Sequence, residues 1–355
     1  MRRRRPRLGR VRQRGVAVRR ALCLCGVLLV LSACGETRQV REPDLVVRAD
    51  ATRGATLPRV SDAVASGDAL RIAVVTHGQA ANPFWVVVRN GIDAAARQVD
   101  ASVSYQSPDT YSIPRMRALI DAAIAGRPDG LVVSIPSPGV EDAIRRAIRA
   151  GLPVISINSG SAASPRLGAL SHIGQREHRA GAAAGARLAR AGVRRGLCVK
   201  QEAVNVGLSA RCRGFADALR RAGGDAESLA VDVQNRGATR QRVAEAVRSR
   251  RIDGVLTLDT EAAEAALDAL RGDEGIPLAT FDLSPRVLEA VRDARMEFAV
   301  DQQAYLQGYL PVVLLAQKIR YGLFAGEGEL IPTGPKFVTR TTAGRVVRLS
   351  ERGIR

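Results

Sequence analysis

The sequence predicts an α/β protein made of two doubly wound parallel-sheet lobes. Three observations carry that expectation. From residue 70 onward, short β-branched runs alternate with longer segments whose apolar residues recur at helical spacing. One strand-plus-helix unit takes roughly 25 to 30 residues, the length of a βα repeat. The strand segments are near-continuous apolar runs, as strands covered by helices on both faces must be. The alternation runs through the chain twice, which fits two lobes.

The elements follow in order. RIAVVTH (71–77) is a first strand, and Pro83 to Gln98 a helix with Trp85, Val88, Ile92 and Ala95 on one stripe. Asn82 suits the cap of that helix and Pro83 its first turn. ASVSYQS and IPRMRALIDAAIA form the next pair, DGLVVSIPS and VEDAIRRAIRAG the third, and PVISIN a fourth strand. HIGQ is short and opens the second series. There EHRAGAAAGARLARAG, SARCRGFADALRRAG, ATRQRVAEAVRSR, EAAEAALDALRG and PRVLEAVRD read as helices. Between them GLCVKQ, SLAVDVQ (228–234), DGVLTLD, PLATFDL and EFAVDQQ read as strands, and a last helix runs from about Tyr305 to Tyr321. Gly with a following Pro in AGRPDG, RAGLP and GDEGIP closes three of the helices, and the first two are caps without further function.

The N-terminal part is different. Residues 1–33 combine an Arg-rich stretch, an eleven-residue apolar stretch (ALCLCGVLLVL) and small residues, the plan of a signal peptide. Leu31-Ser32-Ala33-Cys34 resembles the bacterial lipobox, which implies cleavage before Cys34 and lipid on its thiol. Residues 34–69 are polar, hold Pro43 and Pro58, and read as a flexible tether. Of the net charge of +19, ten Arg lie in residues 1–33 with no acid; the remainder holds 44 basic and 35 acidic residues, or +9. No basic run interleaved with aromatics follows, so nucleic acid is not an expected partner. After processing two cysteines remain, Cys198 in a strand and Cys212 in the next helix. In an oxidising compartment they are either a disulfide or two buried thiols. Three histidines without ligand spacing give no metal site, and no cofactor is expected. There is no GxSxG elbow, P-loop or HExxH.

In open parallel sheets the ligand lies at the carboxyl ends of the strands. That rule selects His77, Gln79, Asn82, Phe84 and Trp85 after the first strand and Asn158, Ser159 and Ser161 after the fourth. In the second series it selects Gln201, Asn205, Asp259, Thr260, Asp282, Gln302 and Gln303. Amides, carboxylates and hydroxyls beside flat rings suit a polyhydroxylated ligand, with rings on its C–H faces. Of the adjacent pair Phe84 and Trp85, about 100° apart on a helix, one belongs to the core.

THGQAANPFW, DGLVVSIPS, GLPVISINSG, HIGQREHRAG, the RCRGF stretch, ATFDLSP and FAVDQQAYLQGYLPV, in that order, carry a resemblance. From about 70 to 345 the chain is similar to the sugar-binding proteins of bacterial ABC importers, in the ribose- and galactose-binding branch of the type I periplasmic-binding fold. The resemblance implies ligand contacts at Asn82, Phe84, Trp85, Asn158, Arg211, Asp259, Asp282 and Gln302. Asn158-Ser159, Asp259 and Arg176 depart from residues common in that branch, which leaves the particular sugar open. Simpler roles stand beside these: Arg213 could replace Arg211, Asp282 could cap the helix near Pro285, and Asn158 and Gln302 could tie the crossovers.

The resulting expectation is an extracytoplasmic, membrane-anchored lipoprotein, a monomer, that captures a sugar or polyol between its lobes for the permease of an ABC importer. Its lobes are 70–174 plus 303–332 and 175–302 plus 333–355, joined by a three-segment hinge near Gly174–Arg176, Gln302–Gln303 and Thr333–Lys336. The alternatives are a receptor for a membrane sensor kinase and a regulator-type sugar sensor, the latter lacking its N-terminal helix-turn-helix. Catalysis on a glycoside would need a placed carboxylate pair, for which only Asp259 and Asp282 offer themselves.

Overall fold

A computed structural model of the chain describes residues 69–79, 81–273 and 275–355. The signal peptide, Cys34 and nearly all of the tether lie outside the described residues. In the first half β1 (Leu70–Val75), α1 (Pro83–Gln98), β2 (Ala101–Gln106), α2 (Ile113–Ala125) and β3 (Gly130–Ser134) alternate. α3 (Glu141–Arg149), β4 (Val154–Asn158), the single turn α4 (Ser164–Leu167) and β5 (Ser171–Gly174) complete that half. The second half runs α5 (Glu177–Arg190), β6 (Arg195–Lys200), α6 (Val206–Arg221), β7 (Asp225–Ala230) and α7 (Arg236–Ser249). It continues β8 (Gly254–Thr257), α8 (Thr260–Ala269), β9 (Leu278–Phe281), α9 (Pro285–Arg292) and β10 (Phe298–Asp301). Then come α10 (Ala304–Tyr321), β11 (Leu330–Pro332), β12 (Lys336–Val338) and α11 (Arg340–Glu351).

The strands build two six-stranded sheets, in the orders β11-β5-β4-β3-β1-β2 and β12-β10-β9-β8-β6-β7. Every pairing is parallel except β10 with β12. The two sheets thus share one strand order and differ in the direction of the edge strand, parallel for β11 and antiparallel for β12. Alternate strand residues feed opposite faces. Ile72 and Val74 of β1 pack with Val88 and Ile92 of α1 and Val312 and Leu315 of α10. Ala73 and Val75 pack with Met116 and Ile120 of α2 and Ile144 of α3. The second sheet is covered in the same way on both faces. Each such buried Val, Leu or Ile contributes about 1.5–3 kcal/mol. α1 and α10 approach so closely that a methyl group on Gly308 would lie 1.9 Å from the Val88 carbonyl oxygen.

The chain passes between the sheets three times, and the crossings are tied to each other. Thr333 N–H donates to the Gly174 carbonyl (2.8 Å). Gln175 Nε2 donates to Gln302 Oε1 (2.9 Å), and Gln307 Nε2 donates to the Gln302 carbonyl (3.1 Å) and Thr333 Oγ1 (3.2 Å). Among the described residues no helix is long and apolar enough to cross a membrane.

Some boundaries differ from those the sequence suggests. The edge strand lies at Asp225–Ala230 rather than 228–234, because its register opposite β6 pairs Arg195 with Asp225. α6 starts three residues before Ser209, at Val206, because Asn205 caps it. β11, β12 and α11 follow the helix expected to be last. Cys198 and Cys212 are joined as a disulfide, Cα to Cα 5.6 Å, which links β6 to α6.

Candidate functional site: an inter-lobe cleft

The carboxyl ends of the strands in both lobes face one another across a cavity of about 460 Å³. All eight residues singled out from the sequence line it: Asn82, Phe84, Trp85, Asn158, Arg211, Asp259, Asp282 and Gln302. The size is that of a small-molecule site. Of the wider strand-end set, Ser159, Ser161, Thr260 and Gln303 do not line it.

Three helices begin at the cleft with a polar cap. Asn82 Oδ1 accepts from Phe84 N–H at the start of α1 (3.1 Å). Asn205 Oδ1 accepts from Gly207 and Leu208 N–H at the start of α6 (2.8 and 3.2 Å). Asp259 Oδ1 accepts from Glu261 and Ala262 N–H at the start of α8 (2.8 and 3.0 Å). Such caps satisfy orphan helix donors and hold the side chain at the strand tip. Asp282 does not cap the next helix. Ser284 caps α9, and Asp282 instead accepts from Gln302 Nε2. Asn158 and Asp282 end equivalent strands of the two lobes, both in the left-handed region (φ 60° and 71°). Asn and Asp tolerate that conformation better than most residues.

Phe84 and Trp85 both stand in the aromatic wall of the cleft. Trp85 is 5% exposed and belongs to the first lobe's core, yet it also borders the cavity. Phe84 is half-buried and stands edge-on to it, centroids 5.1 Å apart. His77 meets the indole edge-on at 5.0 Å. A methyl group on Gly78 would lie 1.5 Å from Trp85 Nε1, so only glycine leaves room for the ring.

Arg211 is buried beneath the cavity. It pairs with Glu177, donates to Gln302 Oε1 and lies 4.7 Å from the centre of the Phe281 ring. Burial alone would pull its guanidinium down; Glu177, then Asp282 and Glu202, raise it instead. Arg213 is exposed and does not line the cavity. Burial pushes the Asp282 carboxyl up to about 7 against the opposing pull of Arg211, and pushes Glu202 up to about 8. Burial also raises Asp259 and Glu261. His77 is lowered to about 3 by burial and then by Arg211, so its 3.5 Å approach to Glu202 joins two groups that are uncharged at neutral pH.

The lobes touch across this cleft. Asn82 Nδ2 donates to Asp259 Oδ2 and Glu261 Oε2 (3.2 Å each). Ser159 Oγ donates to Asn205 Oδ1 (3.1 Å), Val206 N–H to the Pro136 carbonyl (2.9 Å), and Gln234 Nε2 to Gln79 Oε1 (2.8 Å). No group of three His, Cys, Asp or Glu side chains placed to hold a metal occurs among the described residues.

Residues 72–322 match the family described as periplasmic binding protein domain. The chain belongs to this family. It is a solute-binding protein of the sugar-importer class and not an enzyme. This periplasmic binding protein is 34% identical to a carbohydrate transporter from Acidothermus cellulolyticus solved in complex with myo-inositol. The likeness covers 81% of this chain and 100% of that one, with a TM-score of 0.77. It is 26% identical over 294 residues to a xylose/arabinose-binding protein of Sulfolobus acidocaldarius, covering 73% of this chain and 69% of that protein. An ABC transporter solute-binding protein from Burkholderia graminis in complex with D-arabinose shares the fold, at 22% identity and a TM-score of 0.69 over 77% of this chain and 96% of that one.

Among the lining residues of this binding protein that the strand-end rule did not select are Tyr111, Glu202, Asp232 and Glu261. Glu202 sits one residue past Gln201, in the loop after β6, and was within the rule's reach. Tyr111 lies in the loop before α2, where the polar run SPDTYS carries no distinguishing signal.

Proposed function

We propose that this binding protein captures a small polyol or sugar between its lobes and hands it to the permease of an ABC importer. In this reading it is held at the membrane by lipid on Cys34 once residues 1–33 are removed. The observation that carries the reading is the single cleft onto which all eight sequence-selected residues converge, with rings on one side and hydrogen-bonding groups around the rest. Arg211, Asn158 and Gln302 offer donors, while Asp259 and Asp282 offer acceptors. Trp85 and Phe84 cover an apolar ring face. The myo-inositol complex of the 34%-identical relative favours a cyclitol or a pyranose-sized sugar. Within this reading the lobes comprise 70–174 plus 303–332 and 175–302 plus 333–355, supported by the sheet that each strand joins. The hinge closes on the ligand, favouring the closed form by its differential affinity.

A thermal-shift screen against cyclitols, pentoses, hexoses and nucleosides tests the ligand class, since a ligand stabilises by RT ln(1 + [L]/Kd). A raised Tm with a cyclitol or sugar is the expected result, and stabilisation by none of these would sink the reading. Cys34→Ala is expected to move the protein from the membrane fraction to the soluble one; retention in the membrane would remove the anchor.

A further inference from the structure

The ionisable groups around the cleft are lopsided. Glu202, Asp259, Glu261 and Asp282 border it, with Asp232 beside them, against one lining cation, Arg211. That cation is already paired with Glu177 and bonded to Gln302. His77 is held neutral by burial, so it adds no charge. The polar groups also fall into two hydrogen-bonded sets. Arg211, Gln302 and Asp282 cluster near the hinge, where donors and acceptors balance. Asp259, Glu261 and Glu202 form a second set, whose side-chain partners are two neutral amides, besides the backbone N–H groups that Asp259 Oδ1 caps. Asn82 Nδ2 spans Asp259 and Glu261 at 3.2 Å each, and Asn205 Nδ2 donates to Glu202 (2.6 Å). Beside these acids two buried atoms have no hydrogen-bond partner among the described residues, Tyr111 Oη and Gln201 Oε1, and both residues line the cleft. Each can accept a hydrogen bond.

A neutral hydroxyl brings one donor to such a set, whereas an ammonium brings three donors and a charge. Burial holds a proton on Glu202 in the empty cleft and raises Asp259 and Glu261 as well; when the lobes close and water leaves, an ammonium between these carboxyls displaces that proton and faces the carboxylate left behind. Hydrogen bonds from a charged donor to a carboxylate are also the stronger kind. We propose that the preferred ligand is a polyol carrying a protonated primary amine, such as an aminocyclitol or an amino sugar, with the amine at the Glu202–Asp259–Glu261 set. The inference rests on the polyol reading above and narrows it.

Titration calorimetry of the full chain below neutral pH, with paired probes, tests it. D-glucosamine is compared with D-glucose, and an amino-deoxy-inositol with myo-inositol. N-acetyl-D-glucosamine serves as a probe that keeps the nitrogen without its charge. In at least one pair the amine is expected to bind at least about tenfold more tightly than its neutral partner, a difference of about 1.4 kcal/mol. N-acetylation should abolish that advantage. Glu261→Gln, at a half-buried position, is expected to reduce the amine-to-neutral ratio about tenfold, and Glu202→Gln to act in the same direction. The proposal is overturned if the neutral member of each pair binds as tightly as its amine, or if Glu261→Gln weakens both alike. Binding of the amine without release of protons to the buffer would likewise overturn it, since Glu202 would then have kept its proton in the complex. Binding of neutral polyols alone leaves the polyol reading standing; binding of no polyol or sugar of either kind removes both.

Discussion

Trp85 belongs at once to the first lobe's core and to the wall of the cleft, so its removal acts on two equilibria. Trp85→Ala is expected to lower stability by about 3–5 kcal/mol, as large aromatic deletions do. It should weaken the best polyol by about 1–3 kcal/mol, the scale of one lost apolar face. Calorimetry well below the variant's Tm separates the two effects; full affinity there would make the indole a core residue only. Gly78→Ala tests the same wall without removing the ring. The added methyl would overlap Trp85 Nε1, so the indole must shift. The expected cost in stability is about 1–3 kcal/mol, typical of overpacking, together with weaker ligand binding. Unchanged Tm and affinity would mean that the ring yields freely.

At the scale of elements, the Cys198–Cys212 bond fastens α6 to β6, and α6 carries both Asn205 at its cap and Arg211 on its buried face. The cysteines are 14 residues apart, and closing a loop of that length restricts the unfolded chain by about 3 kcal/mol. Replacing both with Ser is expected to lower unfolding free energy by about 2–4 kcal/mol in urea, with reductant bringing the parent protein to the same midpoint. A midpoint indifferent to both changes would mean that the thiols are free. The elements that the sequence makes legible are those whose apolar residues repeat. Trp85, Val88, Ile92 and Ala95 mark α1, and all four are buried. β7 is misplaced because it is an edge strand whose residues are mostly exposed, so burial leaves no apolar run to read. β11, β12 and α11 are missed for a related reason. Two are three-residue strands defined by long-range pairing with β5 and β10, and α11 buries only Ala343 and Val346. The cleft is legible because strand tips are fixed by topology. Tyr111 is not, because the loop carrying it has no pattern, and Glu177 is not, because its pairing with Arg211 exists only in three dimensions.

For the whole molecule, buried ionisable groups set opposing dependences on pH. The Glu202 and Asp282 carboxyls, raised from 4.5 to about 8 and from 3.8 to about 7, hold protons in the folded state that the unfolded chain has released. The stability they confer is present at low pH and is lost as pH rises through those windows. Asp259, Glu261 and Glu177 shift in the same direction. His77 and His172, lowered from 6.5 to about 3 and about 4, stay neutral in the fold while the unfolded chain takes up protons, so their contribution is lost as pH falls below 6.5. The two sets oppose each other between about 4.5 and 6.5, and above 6.5 only the acids remain. The ligand-free protein should therefore be most stable in mildly acidic buffer and lose Tm from pH 6.5 to 8. Above pH 7 Asp282 has largely titrated and Glu202 dominates, with a slope of about 1 kcal/mol per pH unit for one proton. Glu202→Gln removes that proton and should flatten the curve between pH 7 and 8, whereas Asp282→Asn should act mainly below 7. A Tm that rises across this interval in the parent protein, or a slope that survives in Glu202→Gln, would mean that Glu202 is ionised in the folded cleft throughout.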